Sequence, residues 1–495
     1  MRLHLLAAAV GLTFALAGCA SSGGLHPQGK PIDPSSLATG QSLGQASAPD
    51  ATWPQADWWT GLGDPQLDAL IAEALKDNPG LAVADARARE AQAAAGVAHA
   101  DLTPDISAGA SVAGARLPAS VPALGNGHFG WAKYAYGSFK WSPDLWGGRH
   151  AAWRAAIGKG RAAEVEAHAA RVELSGNVAR AYVQLGYAYA QQDVAQAELQ
   201  RANDARKLTH QRVDAGIDNR IQLEQANAEV AGAQQQAEQA SRAIDAARSA
   251  LSVLLGKGPD RGRDITRPQL LPPSMLSVPA NLPVNLIGHR ADLVAARWQV
   301  EASGEDIKAA KAEFLPNLGL TALAGVIGFG GSNILNLPSR FYSVAPALSL
   351  PIFNGGRLRY NLRGKDAQYD IAVAQYNQTL VKAVNEVADD VDTLQSLQQQ
   401  ATSEQQALDA ARSAWKLAEQ RYKAGVGSYL EALTVRQQLL VAEQRMAALK
   451  AQQSDQSVQL IQALGGGYRP AHGQLPPEPK ATASSSVSPT PDNRS

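Results

Sequence analysis

Cys19 is the residue whose surroundings most clearly indicate a chemical reaction, and it is the single cysteine among 495 residues. Leu16, Ala17 and Gly18 precede it, which is the pattern of small residues that bacterial lipoprotein processing requires. Cleavage before Cys19 would make it the mature N-terminus. We then expect its sulfur to carry diacylglycerol through a thioether bond and its amine to carry an acyl chain such as palmitoyl. A plain signal peptide with a chance cysteine is the alternative that the residues leave open.

An export signal accounts for the residues before Cys19. Arg2 provides a positive charge, and the apolar stretch 5–17 is long enough for export but too short to span a membrane. The residue after the cysteine is Ala20 and not aspartate, which in the usual sorting rule is typical of delivery to the outer membrane. We therefore predict a signal peptide at 1–18 and a lipid-anchored, extended N-terminal segment at 19–60.

Enzymatic chemistry finds little support in the sequence. The nine histidines are scattered, and no zinc-protease, nucleophile-elbow, phosphate-loop or dinucleotide motif occurs. The glycine-rich run 328–331 lies between predicted strands, so it is interpreted as an external loop. The 45 basic residues equal the 45 acidic residues, so the net charge gives no reason to expect a nucleic-acid partner. We predict no enzyme, no metal and no cofactor apart from the lipid on Cys19.

The chain carries an internal duplication, in which similar segments lie roughly 210 residues apart and in the same order. The matching segments are 78–81 with 290–293, 100–104 with 312–316, 145–149 with 353–357, 212–217 with 421–426, and 255–256 with 464–465. We predict a first repeat at 61–265, a linker at 266–285, a second repeat at 286–465 and a disordered C-terminal tail at 466–495.

Each repeat is predicted to contain short helices, two strands and two long helices. Leu174, Val178 and Tyr182 begin a run of apolar residues at helical spacing, and Gly216 and Gly425 can end the first long helix of each repeat. Such a helix would be about 100 Å long, which indicates coiled-coil packing. The predicted long helices are 148–214, 218–255, 356–424 and 428–464, and the predicted strands are about 105–117, 129–142, 317–328 and 340–351.

The strands have the alternation of lipid-facing strands, with apolar residues at every second position. Leu318 and Leu320 alternate with Asn317 and Gly319 in this way. The mature chain has no uninterrupted apolar stretch of about 18 residues, so a membrane crossing requires a β-barrel. Two strand pairs leave open edges that are costly in lipid, so more than one copy must share the barrel. On the strands alone, a soluble hairpin packed on a core is an equal alternative. The aromatic residues predicted to form an interfacial girdle are Trp131, Tyr134, Tyr136, Phe139 and Trp141.

The duplicated plan, the Ala-Gly turns and the Gly-Gly-Arg helix starts resemble the TolC-like outer-membrane factors. The lipid-attachment motif at Cys19 and the segment from Trp58 to Leu67 are similar to the NodT-type or OprM-type efflux lipoproteins. The resemblance covers about residues 50–465. It implies an α+β membrane protein and a homotrimer, in which four strands per chain form a twelve-stranded outer-membrane β-barrel. A long periplasmic α-helical barrel, with an equatorial domain, would continue it.

This family implies the exit duct of a tripartite efflux system. Such a duct meets outer-membrane lipid, a periplasmic adaptor and, through the adaptor, an inner-membrane transporter that is most often of the RND type. It exports small molecules such as drugs or toxic compounds. We expect a lipid-anchored, membrane-spanning location in the outer membrane, with extension into the periplasm. The outer-membrane duct of a type I protein secretion system, which shares the fold, and a periplasmic adaptor lipoprotein are the alternatives.

The resemblance also assigns roles to the helix turns. It implies a pore constriction, with gating and selectivity, at Leu430, Glu431 and Thr434. An acidic ring at Glu431 would favour cations, whereas the OprM-type pattern has aspartate in place of Thr434. The corresponding first-repeat positions are Ile221, Gln222 and Gln225. Adaptor contact is expected at Ala215, Gly216, Ile217, Ala424, Gly425 and Val426, and Arg212, Arg421 and Tyr422 are expected to hold the tips shut.

Overall fold

The computed structural model describes residues 24–43, 47–48, 52–116, 129–269, 278–279, 282–329, 334, 336–470 and 475. Cys19 and the signal peptide lie outside these residues. The elements of the first repeat are α1 (Pro65–Asp77), α2 (Pro79–Ala100), β1 (Asp105–Arg116), β2 (Phe129–Trp141), α3 (Gly148–Asp214), α4 (Arg220–Leu254) and α5 (Asp260–Arg263). Those of the second repeat are α6 (Leu282–His289), α7 (Ala291–Ala312), β3 (Asn317–Phe329), β4 (Arg340–Ser349), α8 (Arg357–Lys423) and α9 (Tyr429–Ala463).

The observed ends of the four strands and four long helices differ from the predicted ends by at most two residues. Two boundaries need correction. Helix α6 starts at Leu282, inside the predicted linker. The tail begins later than residue 466, because Tyr468 is only 6% exposed and packs in a cluster with Val165 and Val294. Residues 471–474 and 476–495 of the predicted tail lie outside the described residues.

The four strands form one antiparallel sheet in the order β1-β2-β3-β4. Its register aligns Ile106 with Phe139, Phe139 with Ala322, and Ala322 with Val344, so these residues share one face. That face is apolar and open: Ile106, Val344 and Leu348 are 77%, 67% and 72% exposed. Within the described part of the chain, the outer edges of β1 and β4 have no strand partner.

The predicted aromatic girdle is only partly correct. Trp131, Phe139 and Trp141 lie on the apolar face, with Trp131 and Trp141 near opposite ends of β2. Tyr134 and Tyr136 point to the other face, because side chains alternate along a strand, and their rings stack with centroids 6.0 Å apart. The aromatic residues that are close in sequence therefore lie on two different faces of the sheet. The tryptophans and Phe139 are on the apolar face, and the two tyrosines are on the more polar face.

The helices continue the sheet as two successive layers. Next to the sheet, α2 packs on α3, α3 on α7, and α7 on α8. Farther away, α4 packs on α3, α3 on α9, and α9 on α8. Helices α3 and α8 belong to both layers because each has 67 residues, about 100 Å of helix. None of the described helices is both long and apolar enough to span a membrane.

A hydrophobic core lies where the two layers meet and holds the helices in place. One cluster joins α1 and α3 through Leu67, Ile71 and Tyr182. The Tyr182 hydroxyl donates a 2.8 Å hydrogen bond to Asp64, the residue that caps α1. A second cluster packs Leu286 of α6 and Val387 of α8 together. These short helices therefore brace the middle of the two long ones.

The N-terminal segment follows α8 towards the sheet. The backbone N–H groups of Gln28 and Gly29 donate to the Asp370 carboxylate at 2.8 and 2.6 Å. The N–H of Ile32 donates to the Asn377 side chain at 2.8 Å. Leu25 packs near Leu358 and Leu362, close to the start of α8. Within this segment, the residues nearer the N-terminus therefore lie closer to the sheet.

Candidate functional site

The end of the molecule far from the sheet consists of two helix reversals. Gly216 and Gly425 follow the last turns of α3 and α8 with φ of +71° and +76°, a conformation that glycine adopts without a Cβ clash. The next residues close the turns: Ile217 N–H donates to the Arg212 carbonyl at 2.8 Å, and Val426 N–H donates to the Arg421 carbonyl at 3.0 Å. Both reversals are helix C-caps, as the sequence predicts.

A side-chain cap starts the second helix of each reversal. The Asn219 side chain accepts from the N–H groups of Ile221 and Gln222, and the Gln222 side chain accepts from the N–H of Asn219. In the second reversal, the Ser428 hydroxyl accepts from the N–H of Glu431 at 3.0 Å. Such caps stabilise a helix start by about 1 kcal/mol. The caps hold Gln222 and Glu431 in fixed positions directly beside the turns.

A polar network joins the two reversals to each other. Arg212, before the first turn, donates to both carboxylate oxygens of Asp218 at 2.8 and 3.2 Å. It also donates to the Tyr422 carbonyl at 3.0 Å, and its guanidinium carbon lies 4.6 Å from the centre of the Tyr422 ring. The Tyr422 hydroxyl donates to Asp218 at 2.9 Å. Residues of one hairpin, α3–α4, therefore bind the end of the first helix of the other hairpin, α8–α9.

The network is shielded from water. Tyr422 is 3% exposed, and the side chains of Arg212 and Asp218 are 11% and 8% exposed. Hydrogen bonding from Arg212 lowers the pKa of Asp218, so this carboxylate is ionised at neutral pH. Burial raises the pKa of Tyr422 to about 12, so its hydroxyl keeps the proton that it donates. Thr209, which is fully buried, lies 3.0 Å from that hydroxyl.

The predicted constriction residues of the second repeat are all exposed in the single chain. Leu430 is 67% exposed, and the Thr434 hydroxyl donates to the Leu430 carbonyl at 2.8 Å. The Glu431 carboxylate lies 3.4 Å from Arg421 Nε. The side chains of these two charged residues are 45% and 57% exposed. Glu431 therefore has a positive neighbour from its own chain, which the expectation of an isolated acidic ring did not include.

The outer surface of the reversals includes exposed small and apolar side chains. Ile217 and Val426 are 63% and 69% exposed. Ile221, at the start of α4, is 68% exposed. Further along α4, Gln225 is exposed as well, whereas Gln222 is half-buried. The turn residues Ala215, Gly216, Ala424 and Gly425 are exposed too. A partner with a matching apolar surface could bury these residues.

A second polar cluster, which the sequence interpretation missed, lies farther along the same helices. Arg436 of α9 is only 2% exposed in its side chain and lies 3.0 Å from Glu198 of α3. It donates to Glu229 of α4 at 2.7 Å. Arg201 donates to Glu198 at 3.0 Å and to Glu443 at 2.8 Å. Burial raises the pKa of Glu198, and the charges of the two arginines oppose that rise.

The two polar clusters lie at different distances from the helix reversals within the same helix bundle. A cavity of about 290 Å³, bordered by Tyr422, Arg201 and Arg436 among others, lies between them. A sequence signal for Arg436 exists, since it stands at helical spacing from the buried Ala432 and Leu439. Its partners are not readable from that spacing. Within the described residues, no group of three His, Cys, Asp or Glu side chains could hold a metal ion.

Known proteins of similar sequence agree with this architecture. The family model described as outer membrane efflux protein matches residues 70–257 and 282–466, one block in each repeat. The chain is 31% identical to the multidrug resistance outer membrane protein MdtP of Escherichia coli over 478 residues, 94% of this chain and 96% of that protein. It is 36% identical to the fusaric acid resistance protein FusA of Burkholderia cepacia over 368 residues, 73% of this chain and 69% of that protein.

A solved structure gives the same result for the fold. The outer membrane protein VceC of Vibrio cholerae superposes with a TM-score of 0.79 at 35% identity, over 84% of this chain and 100% of that one. The apolar sheet face, the long helix pairs and the two matched blocks all fit this likeness. The chain therefore belongs to the outer membrane efflux protein family, and it is an α+β outer-membrane channel protein that extends into the periplasm and acts as a transport duct, not as an enzyme.

Proposed function

We propose that three copies of this chain form the exit duct of a tripartite efflux assembly. The observation that carries the proposal is that the sheet and the helical layer are open at corresponding ends. The sheet ends at β1 and β4, and the helix row beside it ends at α2 and α8. Contact of one copy's β4 and α8 with the next copy's β1 and α2 continues both layers in the same direction. Repetition of one such head-to-tail contact closes a ring.

The open ends carry the residues that such a contact would bury. Val83 and Val97 on α2 are 52% and 67% exposed, and Tyr360 and Ile371 on α8 are 68% and 56% exposed. Exposed apolar side chains of this size mark binding surfaces when they lie together. In lipid, the unpaired edge groups of β1 and β4 also need partners, and only a closed ring supplies them.

The lipid anchor on Cys19 is part of the proposal. The N-terminal segment follows α8 until Leu25 lies near Leu358 at the start of that helix. The six residues from Cys19 to Leu25 can span up to about 20 Å, which is enough to reach the level at which the strands begin. We expect Cys19→Ser to abolish palmitate labelling and to lower the amount of protein in the outer membrane, whereas the control Ala20→Ser keeps both. Unchanged labelling of the Cys19→Ser protein would contradict the anchor.

The helix reversals are proposed as the periplasmic gate and the adaptor-binding tip. The buried Arg212–Asp218–Tyr422 network would hold the two hairpins together in the closed state. The exposed Ile217 and Val426 would be covered by the tip of a periplasmic adaptor. That adaptor would connect the duct to an inner-membrane transporter, for which we propose the RND type. Leu430, Glu431 and Thr434 would line the narrowest part of the pore.

The proposed cargo is small toxic molecules. The relatives named above carry multidrug and fusaric acid resistance in their names, and a further relative, the outer membrane protein SrpC of Pseudomonas putida, is named for a solvent efflux pump. We expect deletion of the gene to sensitise its host to small organic compounds and the wild-type gene to restore resistance. Unchanged sensitivity together with loss of a secreted protein would favour a type I secretion duct instead.

A further inference from the structure

The junction between β4 and α8 carries a basic and apolar surface that the duct function leaves unused. Ile352 and Phe353, between the strand and the helix, are 79% and 91% exposed. Arg359 and Arg363 follow on the first turns of α8 and are both exposed. We propose that this surface binds the headgroup of an anionic phospholipid in the periplasmic leaflet of the outer membrane.

Among the described residues, no ion pair neutralises the arginines of this junction. From residue 350 to residue 365 the chain has three arginines and one lysine but no acidic residue. Of these, Lys365 lies 3.8 Å from Asp306. Arg363 lies 5.5 Å from the centre of the Tyr360 ring, and a ring does not neutralise its charge. A phosphate would supply the missing negative charge and would fit the flat, forked donors of arginine.

At the equivalent junction in the first repeat, the basic side chains are paired within the protein. Arg149 donates to the Asp101 carbonyl at 2.6 Å. Arg154 pairs with Glu305 at 2.8 Å, and Lys159 pairs with Asp306 at 2.8 Å. The start of α3 therefore uses its cations to bind α7 and the end of α2. The duplicated architecture alone does not explain why the start of α8 leaves two arginines open.

The orientation of the two arginines follows from the N-terminal segment. Arg363, Asp370 and Asn377 are spaced by seven residues, so they lie along one stripe of α8, and Arg359 is one turn before Arg363. The N-terminal segment binds this stripe at Asp370 and Asn377. If Cys19 is lipidated, as proposed, the described N-terminal segment and the stripe of α8 that binds it lie on the outside of the duct. Arg359 and Arg363 then face outwards as well, at the height of the headgroups.

This inference rests on the proposed placement of the duct, because the junction meets lipid headgroups only when the apolar sheet face lies in the bilayer. Phe353 and Ile352 would enter the boundary between headgroups and acyl chains, where aromatic residues are enriched. Basic residues beside that boundary attract anionic lipid over a short range that salt reduces.

The test uses the full-length protein in nanodiscs that contain equal amounts of phosphatidylglycerol and phosphatidylcholine. After mild detergent release, mass spectrometry counts the lipids that stay bound. We expect the wild-type protein to retain phosphatidylglycerol preferentially, and R359Q/R363Q to reduce that preference by roughly tenfold or more. The control R412Q/R445Q removes the same charge from exposed sites far from the sheet and should leave the preference unchanged.

The outcomes separate this inference from the function on which it rests. Equal retention of both lipids by the wild-type protein would overturn the headgroup site, and an ion-conducting channel in the same preparation would leave the duct intact. Dissociation of the R359Q/R363Q assembly would also overturn it, because the arginines would then be contacts between copies. Loss of preference in an intact, conducting R359Q/R363Q assembly, with a normal control, supports the site.

Discussion

The Tyr422 hydroxyl gives the sharpest test of the proposed gate, because it joins the two hairpins through a single atom. It donates to the buried Asp218 carboxylate at 2.9 Å, and the two residues come from different hairpins. Separation of the hairpins at the tip must break this hydrogen bond. Tyr422→Phe removes the hydroxyl and keeps the ring that lies against Arg212.

The size of the effect follows from the kind of hydrogen bond. A hydrogen bond to a charged group contributes about 1.5–3 kcal/mol, and every 1.4 kcal/mol changes an equilibrium about tenfold. Tyr422→Phe should therefore shift the closed–open equilibrium of each chain towards the open state by about ten- to a hundredfold. The Arg212–Asp218 pair and the Arg212 bond to the Tyr422 carbonyl stay in place, so the fold should be retained.

Tyr429 provides a matched control within the same cluster. Its ring lies 5.9 Å from that of Tyr422, and it is similarly buried, but its hydroxyl has no hydrogen-bond partner. Tyr429→Phe should leave the gate closed. The measurement is the fraction of time that single channels spend open in planar lipid bilayers at neutral pH. The reasoning is refuted if Tyr422→Phe channels stay closed like the wild type, or if both variants open equally.

Three further predictions concern charge. Glu431→Gln should leave three Arg421 side chains at the proposed constriction and shift the reversal potential towards anions, whereas Arg421→Gln should shift it towards cations. A shift of the same sign in both variants would contradict the placement of this pair in the pore. Arg436→Met should lower the free energy of unfolding by up to about 3–5 kcal/mol, measured by denaturant titration, because it removes one of the two cations beside the buried Glu198 and leaves only Arg201. Burial raises the pKa of Asp390 to about 6; its contribution to stability is present below its unfolded pKa and is lost as the pH rises through about 6. Asp390→Asn should therefore raise the melting temperature by more at pH 7.5 than at pH 4.5, because the wild type loses most of this stability between the two.

Specific results would contradict the predictions for Arg436 and Asp390. An Arg436→Met protein as stable as the exposed-site control Arg412→Met would show that the buried cluster does not support the bundle. An Asp390→Asn protein whose melting temperature differs from that of the wild type by the same amount at both pH values would mean that Asp390 does not titrate between them.

Most of the helices and strands could be predicted from the sequence, because the residues that indicate each one lie within a few positions of one another. The glycines at 216 and 425 follow the last helical turns with a positive φ that most other residues avoid. The alternation from Leu318 to Ala324 places an apolar face on β3 without knowledge of its neighbours. The duplication then repeated each signal, so a weak pattern in one repeat was supported by its counterpart.

The candidate site was predictable only in part, because its contacts join distant parts of the chain. Tyr422 and Asp218 are 204 positions apart, and Thr209 and Tyr422 are 213 apart. No spacing rule indicates which of many carboxylates a given tyrosine will meet. Asp218 was therefore missed although Arg212 and Tyr422 were both singled out. The aromatic cluster of β2 was misjudged for a different reason, since Tyr134 and Tyr136 lie at even positions and Trp131 and Phe139 at odd ones.

Several copies of the chain are proposed to close head-to-tail into one continuous duct. Electron microscopy of the purified full-length protein in nanodiscs, averaged in views along the long axis, tests it most directly. We expect a closed ring with threefold symmetry, in which β4 of each copy pairs with β1 of the next. Single chains, open arcs, or a symmetric ring in which β1 and β4 stay unpaired would contradict the account.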